Sequence, residues 1–489
     1  MRWDQTIRTV AVATMLSSVL ALGACASGSS GSGETGDASS SAVAAETSMT
    51  TETSTEPIAS AQAAAPAAAD ITVNETMADS SDGGHVIEAD GTQASYANVA
   101  VQKTGDSDSG DEADFYGDNA AIFATNGATL DLSQVIIDTN GMHANGVFSY
   151  GEGTTVNISD SVIQTSGDCS GGLMTTGGGT MNASNLSIST LGRSSAAIRS
   201  DRGGGTVNVE GGVYETSGTG SPVIYSTADI TVSDAQLTST ASQGVVVEGK
   251  NSVTLNNVDL VADNNTKNSD KSDWYQAVMI YQSMSGDAAQ GASSFTMNGG
   301  SLINANGDIF FVNNTVTDIT LTGTDIVNQD AEGVFLRAAA AGWGNEGSNG
   351  GQVTMTATDQ TIDGDIVVDD VSKLNLYLAG SSAFKGAVNA DGAAGEVYVE
   401  IAEGATWTLT GDSYITSLTC AADAIDLNGH TLYIDGKAYE AGTASTGAAV
   451  EFDVSSSGGF GGPGQGGEPP EGGPGGPGQG GEPPAKQQN

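Results

Sequence analysis

Basic residues are scarce in this chain. Its 489 residues include 14 Lys and Arg against 59 Asp and Glu, a formal charge of −45. A nucleic-acid binder neutralises phosphates with Lys and Arg, so that class is excluded. An anionic membrane surface would repel the chain unless something tethers it. Only 15% of residues are charged, so the imbalance comes from missing bases more than from an excess of acids, unlike an acidic disordered tail. Aromatics amount to 5%, and prolines are few outside the C-terminal tail. Glycine, at 69 residues, has about twice its usual share of roughly 7%. With 38% hydrophobic residues, this composition predicts a core built from short strands and turns. The three cysteines, Cys25, Cys169 and Cys420, form no CxxC or Cys/His cluster that would signal a metal or redox site.

A membrane-spanning run is also missing near the N-terminus. The mostly apolar stretch from Val10 to Leu22, preceded by Arg2 and Arg8, is too short for a permanent transmembrane helix. It has the length of the apolar region of an export signal. It ends in Leu22-Gly23-Ala24-Cys25, which resembles a bacterial lipobox. Residues 1–24 are therefore expected to be removed and Cys25 to be acylated. Two or three acyl chains would overcome the charge repulsion and anchor the protein without spanning the bilayer. The expected location is the extracellular face of the cell membrane.

Composition divides the remainder. Residues 25–70 are the acylated cysteine and a Ser/Gly/Ala/Thr/Glu linker, read as a disordered stalk. Residues 455–489 form a disordered Gly/Pro-rich tail in which GGPGQGGEPP at 461–470 recurs at 475–484. Between them lie an N-terminal cap with an acidic loop (71–119), a repetitive region (120–365) and C-terminal coils with a cap (366–454).

The repetitive region sets the fold. One apolar column runs Phe123, Phe148, Met174, Ile198, Ile224, Val247, Ile280, Phe311 and Leu336, at spacings of 25, 26, 24, 26, 23, 33, 31 and 25 residues. A second follows as Leu132, Ile158, Ala183, Val209, Val232, Leu255, Met297, Leu321 and Met355. A third is Ile137, Ile163, Ile188, Tyr214, Leu237, Leu260, Ile303 and Ile326. Thr139, Thr165, Thr190 and Thr216 each follow the third column by two residues. Within each copy apolar and polar residues alternate over three to five positions, broken by Gly, Asn, Asp or Ser, as in half-buried strands. Three short strands in about 24 residues, stacked on the next copy, predict a single-stranded parallel β-helix of the pectate-lyase-like kind. Its hand is expected to be right, the usual chirality of parallel crossovers. No Leu/Asn consensus supports a leucine-rich repeat, and the period is too short for a propeller blade. Cys169 and Cys420 would lie about ten coils apart, too far to pair.

The longer spacings locate loops at 263–274, 283–293 and 338–351. Loops on solenoids tend to build the binding face. Trp274 and Trp343 sit in two of them, placed either to stack on a sugar ring or to pin the loops to the barrel. The residue after each first-column position is expected to point outward, giving a stripe of Arg199, Tyr225, Glu248, Tyr281, Val312 and Arg337. Arg193, Arg199 and Arg202 crowd within ten residues. They suit either a carboxylate or sulfate group of a glycan or local pairing with Asp201, Glu215 and Glu248. Residues 105–118 carry Asp106, Asp108, Asp111, Glu112, Asp114 and Asp118, hard oxygen ligands of the kind that bind Ca²⁺. A solvated acidic loop is the alternative.

Catalysis is not expected. Glycan-cleaving β-helices need clustered carboxylates with a nearby Arg or Lys, or with His, at one level. Here His85, His143 and His430 are scattered, and Asp363, Asp365, Asp369 and Asp370 fall on alternating faces.

The segments NAAIFATNGATL, GVFSYGEGTTVNIS, SAAIRSDRGGGTV, VVVEGKNSVTL, YQSMSGDA, GWGNEGSNGG and ATWTLTGDSYITSL, spread over residues from about 100 to 440, resemble adhesin-like β-helix lipoproteins of Gram-positive anaerobes. A more distant similarity is to β-helical, calcium-dependent polysaccharide-binding proteins of cellulolytic bacteria. The resemblance implies a right-handed β-helix displayed on the cell surface and no set of catalytic residues. The expected function is non-catalytic binding of an extracellular polysaccharide or of a host or neighbouring cell surface, by a monomer. A polysaccharide lyase or glycoside hydrolase and a structural surface fibre are the alternatives. Candidate ligand-binding residues are Arg199, Arg202, Tyr225, Glu248, Trp274, Tyr281, Arg337 and Trp343.

Overall fold

The computed structural model describes residues 65–452 apart from Met284, Ala393 and Ala394. Cys25, the signal segment, most of the linker and the tail lie outside the described residues.

Alternating apolar residues bury one side of each short strand, and only stacking on a neighbouring coil satisfies the strand's backbone. The outcome is a parallel β-helix. Its first face is an 11-stranded parallel sheet, from Ile87–Asp90 and Ile122–Thr125 through Ile198–Ser200, Ile224–Ser226, Val245–Glu248 and Gln276–Tyr281 to Ile366–Val368. The second and third faces start as separate strands, such as Thr155–Ser159 and Val162–Thr165. In the next two coils they become continuous as Gly179–Thr190 and Gly205–Thr216, which joins both faces into one 21-stranded sheet. The corners between them turn on left-handed residues: Gln134, Asp160, Asn185, the pair Gly211 and Gly212, Asp234 and Asn257. Short Asn and Asp side chains tolerate that conformation. They also bond along the stack, Asn185 Nδ2 donating to Asp160 at 2.7 Å.

The second apolar column lies inside as expected, paired in register from Leu132 to Leu321. Met355 pairs two positions away, with Ile319. The third column is correct from Ile137 to Leu260, after which Leu302 rather than Ile303 continues it. Beneath it the four threonines are buried, and the Thr165 and Thr216 hydroxyls each donate to a carbonyl five residues on at 2.6 Å. Ser170, Ser195 and Ser221 accept from the backbone N–H of the preceding coil. Most of this polar column is thereby paired, the Thr139 hydroxyl being an exception.

The first column needs correction. The inward row is Ile122, Val147, Leu173, Ile198, Ile224, Val245, Val278, Phe310 and Leu336. Phe123, Phe148, Met174 and Phe311 are one residue off and point outward, because one step along a strand reverses the side chain. Val312 fails in the opposite sense: it is buried in the main core.

The ends also differ from expectation. Strands Ile87–Asp90, Gln93–Ala97 and Val99–Lys103 already pair with the coil that follows, so coils begin before residue 120. The acidic stretch is not an open loop: Gly110–Tyr116 is a helix ended by left-handed Gly117. At the C-terminus an antiparallel pair, Leu432–Ile434 with Lys437–Ala438, closes one sheet. Cys169 and Cys420 are both free thiols, the first half-buried in a turn and the second in the core.

Candidate functional site

The outward row of the first face carries the site. Residues Phe123, Phe148, Met174, Arg199, Tyr225, Val246, Met279, Phe311 and Arg337 stand side by side on consecutive strands. Apolar side chains facing outward must be covered. At one end Ala120 and Tyr150 pack with Phe123, Phe148 and Met174, and Tyr116 of the helix meets Tyr150 at 5.7 Å between ring centres. At the other end the inserted loops bring Trp274 and Trp343 over Val246, Met279, Tyr281, Phe311 and Ala339. Trp274 packs on Phe311 at 5.6 Å and Trp343 meets Tyr281 edge-on at 5.1 Å. Between the two covers the row turns polar, and there the surface opens.

The opening is a cleft with two adjoining parts of about 280 and 130 Å³. Gly220, Pro222, Tyr225 and Asn268 line both. Arg199 lies at the floor, its Nη2 donating to Asp201 at 2.8 Å and to Asp114 at 3.4 Å. Burial works against the Arg199 charge, yet the two carboxylates raise its pKa further above the normal value. Burial dominates at Asp201 and lifts its carboxyl to about 6, against the pull of Arg199. Beside this pair, the Tyr225 hydroxyl donates to Glu248 Oε2, and the Tyr281 hydroxyl donates to the same oxygen at 2.9 Å. Burial drives both phenols well above their ordinary pKa. Glu248 is 2% exposed, and its Oε1 has no hydrogen-bond partner. A buried, half-satisfied carboxylate costs stability, and such groups gather where function demands them.

All eight residues expected to bind ligand therefore lie along one side of the helix, but in different roles. Arg199, Tyr225, Glu248 and Tyr281 form the connected centre. Trp274 and Trp343 are half-buried covers that also line the cleft. Arg202 binds Asp287 at 2.6 Å and lies 3.8 Å above the Phe115 ring. Arg337 binds Asp308 at 2.6 Å and lies 4.8 Å from the Trp274 ring centre. Of the arginine cluster expected to meet an anionic group of a glycan, Arg199 and Arg202 are paired with aspartates, whereas Arg193 is exposed. Of the carboxylates expected to pair with the arginine cluster, Asp201 does so. Glu215 is on the third face, and Glu248 serves the tyrosines.

The six acidic residues of 105–118 are dispersed. Asp106 accepts from the backbone N–H of Met142 at 2.7 Å, and Asp118 accepts from Ser107 at 3.1 Å. Asp114 turns toward His143 and Arg199. Asp108, Asp111 and Glu112 are exposed. Among the described residues, no three of these carboxylates converge on a common point.

His143, Cys169 and Asp287 are also at this side of the molecule, unforeseen from the sequence, and Asp114, expected as a calcium ligand, joins them here instead. His143 and Cys169 were legible in principle, since both follow a Gly by two residues at the coil spacing of 26. Asp114 and Asp287 enter from excursions outside the repeat and leave no such signal. A larger concavity of about 550 Å³ runs along the second face over Asn157, Asn182 and Asn208. There each amide donates to the coil before it at 2.8 to 3.0 Å, leaving a satisfied polar ladder without buried charge.

No protein-family model, curated protein or solved structure matches the chain.

Proposed function

We propose that this chain is an exported, lipid-anchored protein that binds an extracellular polysaccharide in the cleft of the first face, without cleaving it. The observation that carries this reading is a cleft between aromatic covers lined by Arg199, Asp201, Tyr225 and Tyr281, with Glu248 buried behind the two phenols. Sugar rings present an apolar face to aromatics and hydroxyls to carboxylates and phenols, and the cleft supplies both. Every arginine lining it is already paired with an aspartate, and more carboxylates than bases surround it. A neutral polysaccharide therefore suits it better than an acidic one. A glycan array, probed with and without EDTA, tests this. Retention of neutral glycans supports the reading, and failure to retain any glycan overturns it. Loss of retention in EDTA would point to a divalent ion, calcium among them, in the bound state.

Cleavage is a second reading, favoured by Asp201. A carboxyl titrating near 6 holds a proton closer to neutrality than an ordinary aspartate, as a general acid requires. Released oligosaccharides that disappear in Asp201→Asn would promote it.

The anchor rests on Leu22–Cys25. Among the described residues no helix is long and apolar enough to cross a membrane. Cys25→Ala is expected to move the protein from the membrane fraction to the soluble fraction in cells. Unchanged retention would show that something other than an acyl chain holds it.

A further inference from the structure

Successive coils of the first face enter through stacked turns, and four residues take the same left-handed place in them: His143, Cys169, Ser194 and Gly220, with φ of 57°, 56°, 54° and 67°. The stack is bonded through its backbone, His143 N donating to Asp168 O at 2.9 Å and Cys169 N to Arg193 O at 2.7 Å. Neighbouring coils lie about 4.8 Å apart, so an imidazole and a thiol are held side by side by the fold itself. The helix Gly110–Tyr116 then lays Asp114 against them. His143 Nδ1 is 3.1 Å from Asp114 Oδ1. One ligand atom from each of the three residues falls within 4.8 Å of the other two, and all three residues are half-buried.

We propose that Asp114, His143 and Cys169 bind a divalent transition metal of borderline softness, zinc above all, with a fourth position left for water. Nitrogen, sulfur and oxygen donors in one small set select zinc or cobalt over calcium and magnesium, which prefer oxygen alone. In a tetrahedral site with bonds of roughly 2.0–2.3 Å, ligand atoms lie about 3.3–3.8 Å apart. The 3.1 Å contact of His143 Nδ1 with Asp114 Oδ1 opens slightly, and the separations from Cys169 Sγ, within 4.8 Å, close slightly to reach that geometry. Two charge features support the set. Asp114 Oδ2 is held by Arg199, itself paired with Asp201, which leaves Oδ1 directed at His143. Burial works against the Asp114 charge, but Arg199 and His143 hold its carboxyl below the usual value, in the form that ligates. Burial, followed by the nearby Asp114 charge, pushes the Cys169 thiol up. The site does not depend on whether the cleft takes a glycan. Asp114 is common to both, however, so a bound ion would stand at the cleft's edge.

Titration of the full chain with Co²⁺ under a non-thiol reductant tests this. A saturable thiolate-to-cobalt charge-transfer band, bleached by Zn²⁺, is the expected result. Cys169→Ser should abolish the band, Cys420→Ser should keep it, and His143→Ala should weaken binding by at least ~10-fold. Because Asp114 lies on the outer helix and not in a coil, Asp114→Asn provides a variant that spares the stack. It too is expected to weaken binding. Absence of the band from the wild-type chain, or its survival in Cys169→Ser, would overturn the proposal.

Discussion

Gly167→Ala should destabilise the protein by on the order of 3–5 kcal/mol, a size reserved for changes the structure cannot absorb. Gly105, Gly141, Gly167, Gly192 and Gly218 hold the same place in successive coils. A Cβ on Gly167 would lie 1.9 Å from the carbonyl oxygen of Gly141, and one on Gly192 the same distance from that of Gly167. Neither neighbour is the end of a flexible side chain. Both are backbone in a stack whose spacing is fixed by hydrogen bonds on either side. Gly127 supplies the comparison. Its φ is +76°, but nothing lies within 4 Å of an added Cβ, so Gly127→Ala should cost only the backbone strain of about 1 kcal/mol. Urea midpoints of the two variants measure the difference. Equal shifts would mean that the coils are not stacked as closely as described.

Glu248→Met should separate binding from stability. Glu248 is buried, bonds two phenols through one oxygen and leaves the other bare. Removing it deletes an unsatisfied charge, and methionine fills a similar volume. Tyr225 and Tyr281, whose hydroxyls are 3.4 Å apart, can still bond each other. The melting temperature is therefore expected to hold or rise, as it does when a strained functional group is removed. Polysaccharide affinity is expected to fall about 10-fold, because Glu248 sets the Tyr225 and Tyr281 hydroxyls that line the cleft and its loss lets them turn to each other. Calorimetry and binding on the same preparation check both. A large drop in melting temperature would make Glu248 structural and remove the main reason for placing the site here.

The architecture was readable because a solenoid repeats its errors as well as its signal. Leu132, Ile158 and Ala183 and their successors fixed the second face, since alternation there had only one buried side. On the first face alternation failed: both rows are apolar around Phe123, Phe148 and Met174, because the outer row is itself covered. Nothing local distinguishes Ile122 from Phe123, and the slip followed. The arginines and aromatics of the cleft were readable as a stripe, and Asp201 as a partner of the arginines, but the partners from outside the coils were not. Asp114 comes from a helix whose acidic pattern suggested a calcium loop, and Asp287 from an insertion. Contacts between an excursion and a coil depend on how the excursion folds back, which the repeat does not encode. The Gly column was within reach, since Gly141, Gly167, Gly192 and Gly218 each follow a buried Thr by two residues.

The most direct test of the cleft is the affinity of a retained neutral polysaccharide for the wild-type chain and for Asn268→Trp, measured by titration calorimetry. Asn268 is exposed on the 263–274 loop and lines both parts of the opening, so an indole there fills the cleft without touching the sheet. Binding in the cleft predicts an affinity at least ~10-fold weaker at an unchanged melting temperature. Equal affinity in the two proteins would contradict it and place the glycan elsewhere on the helix.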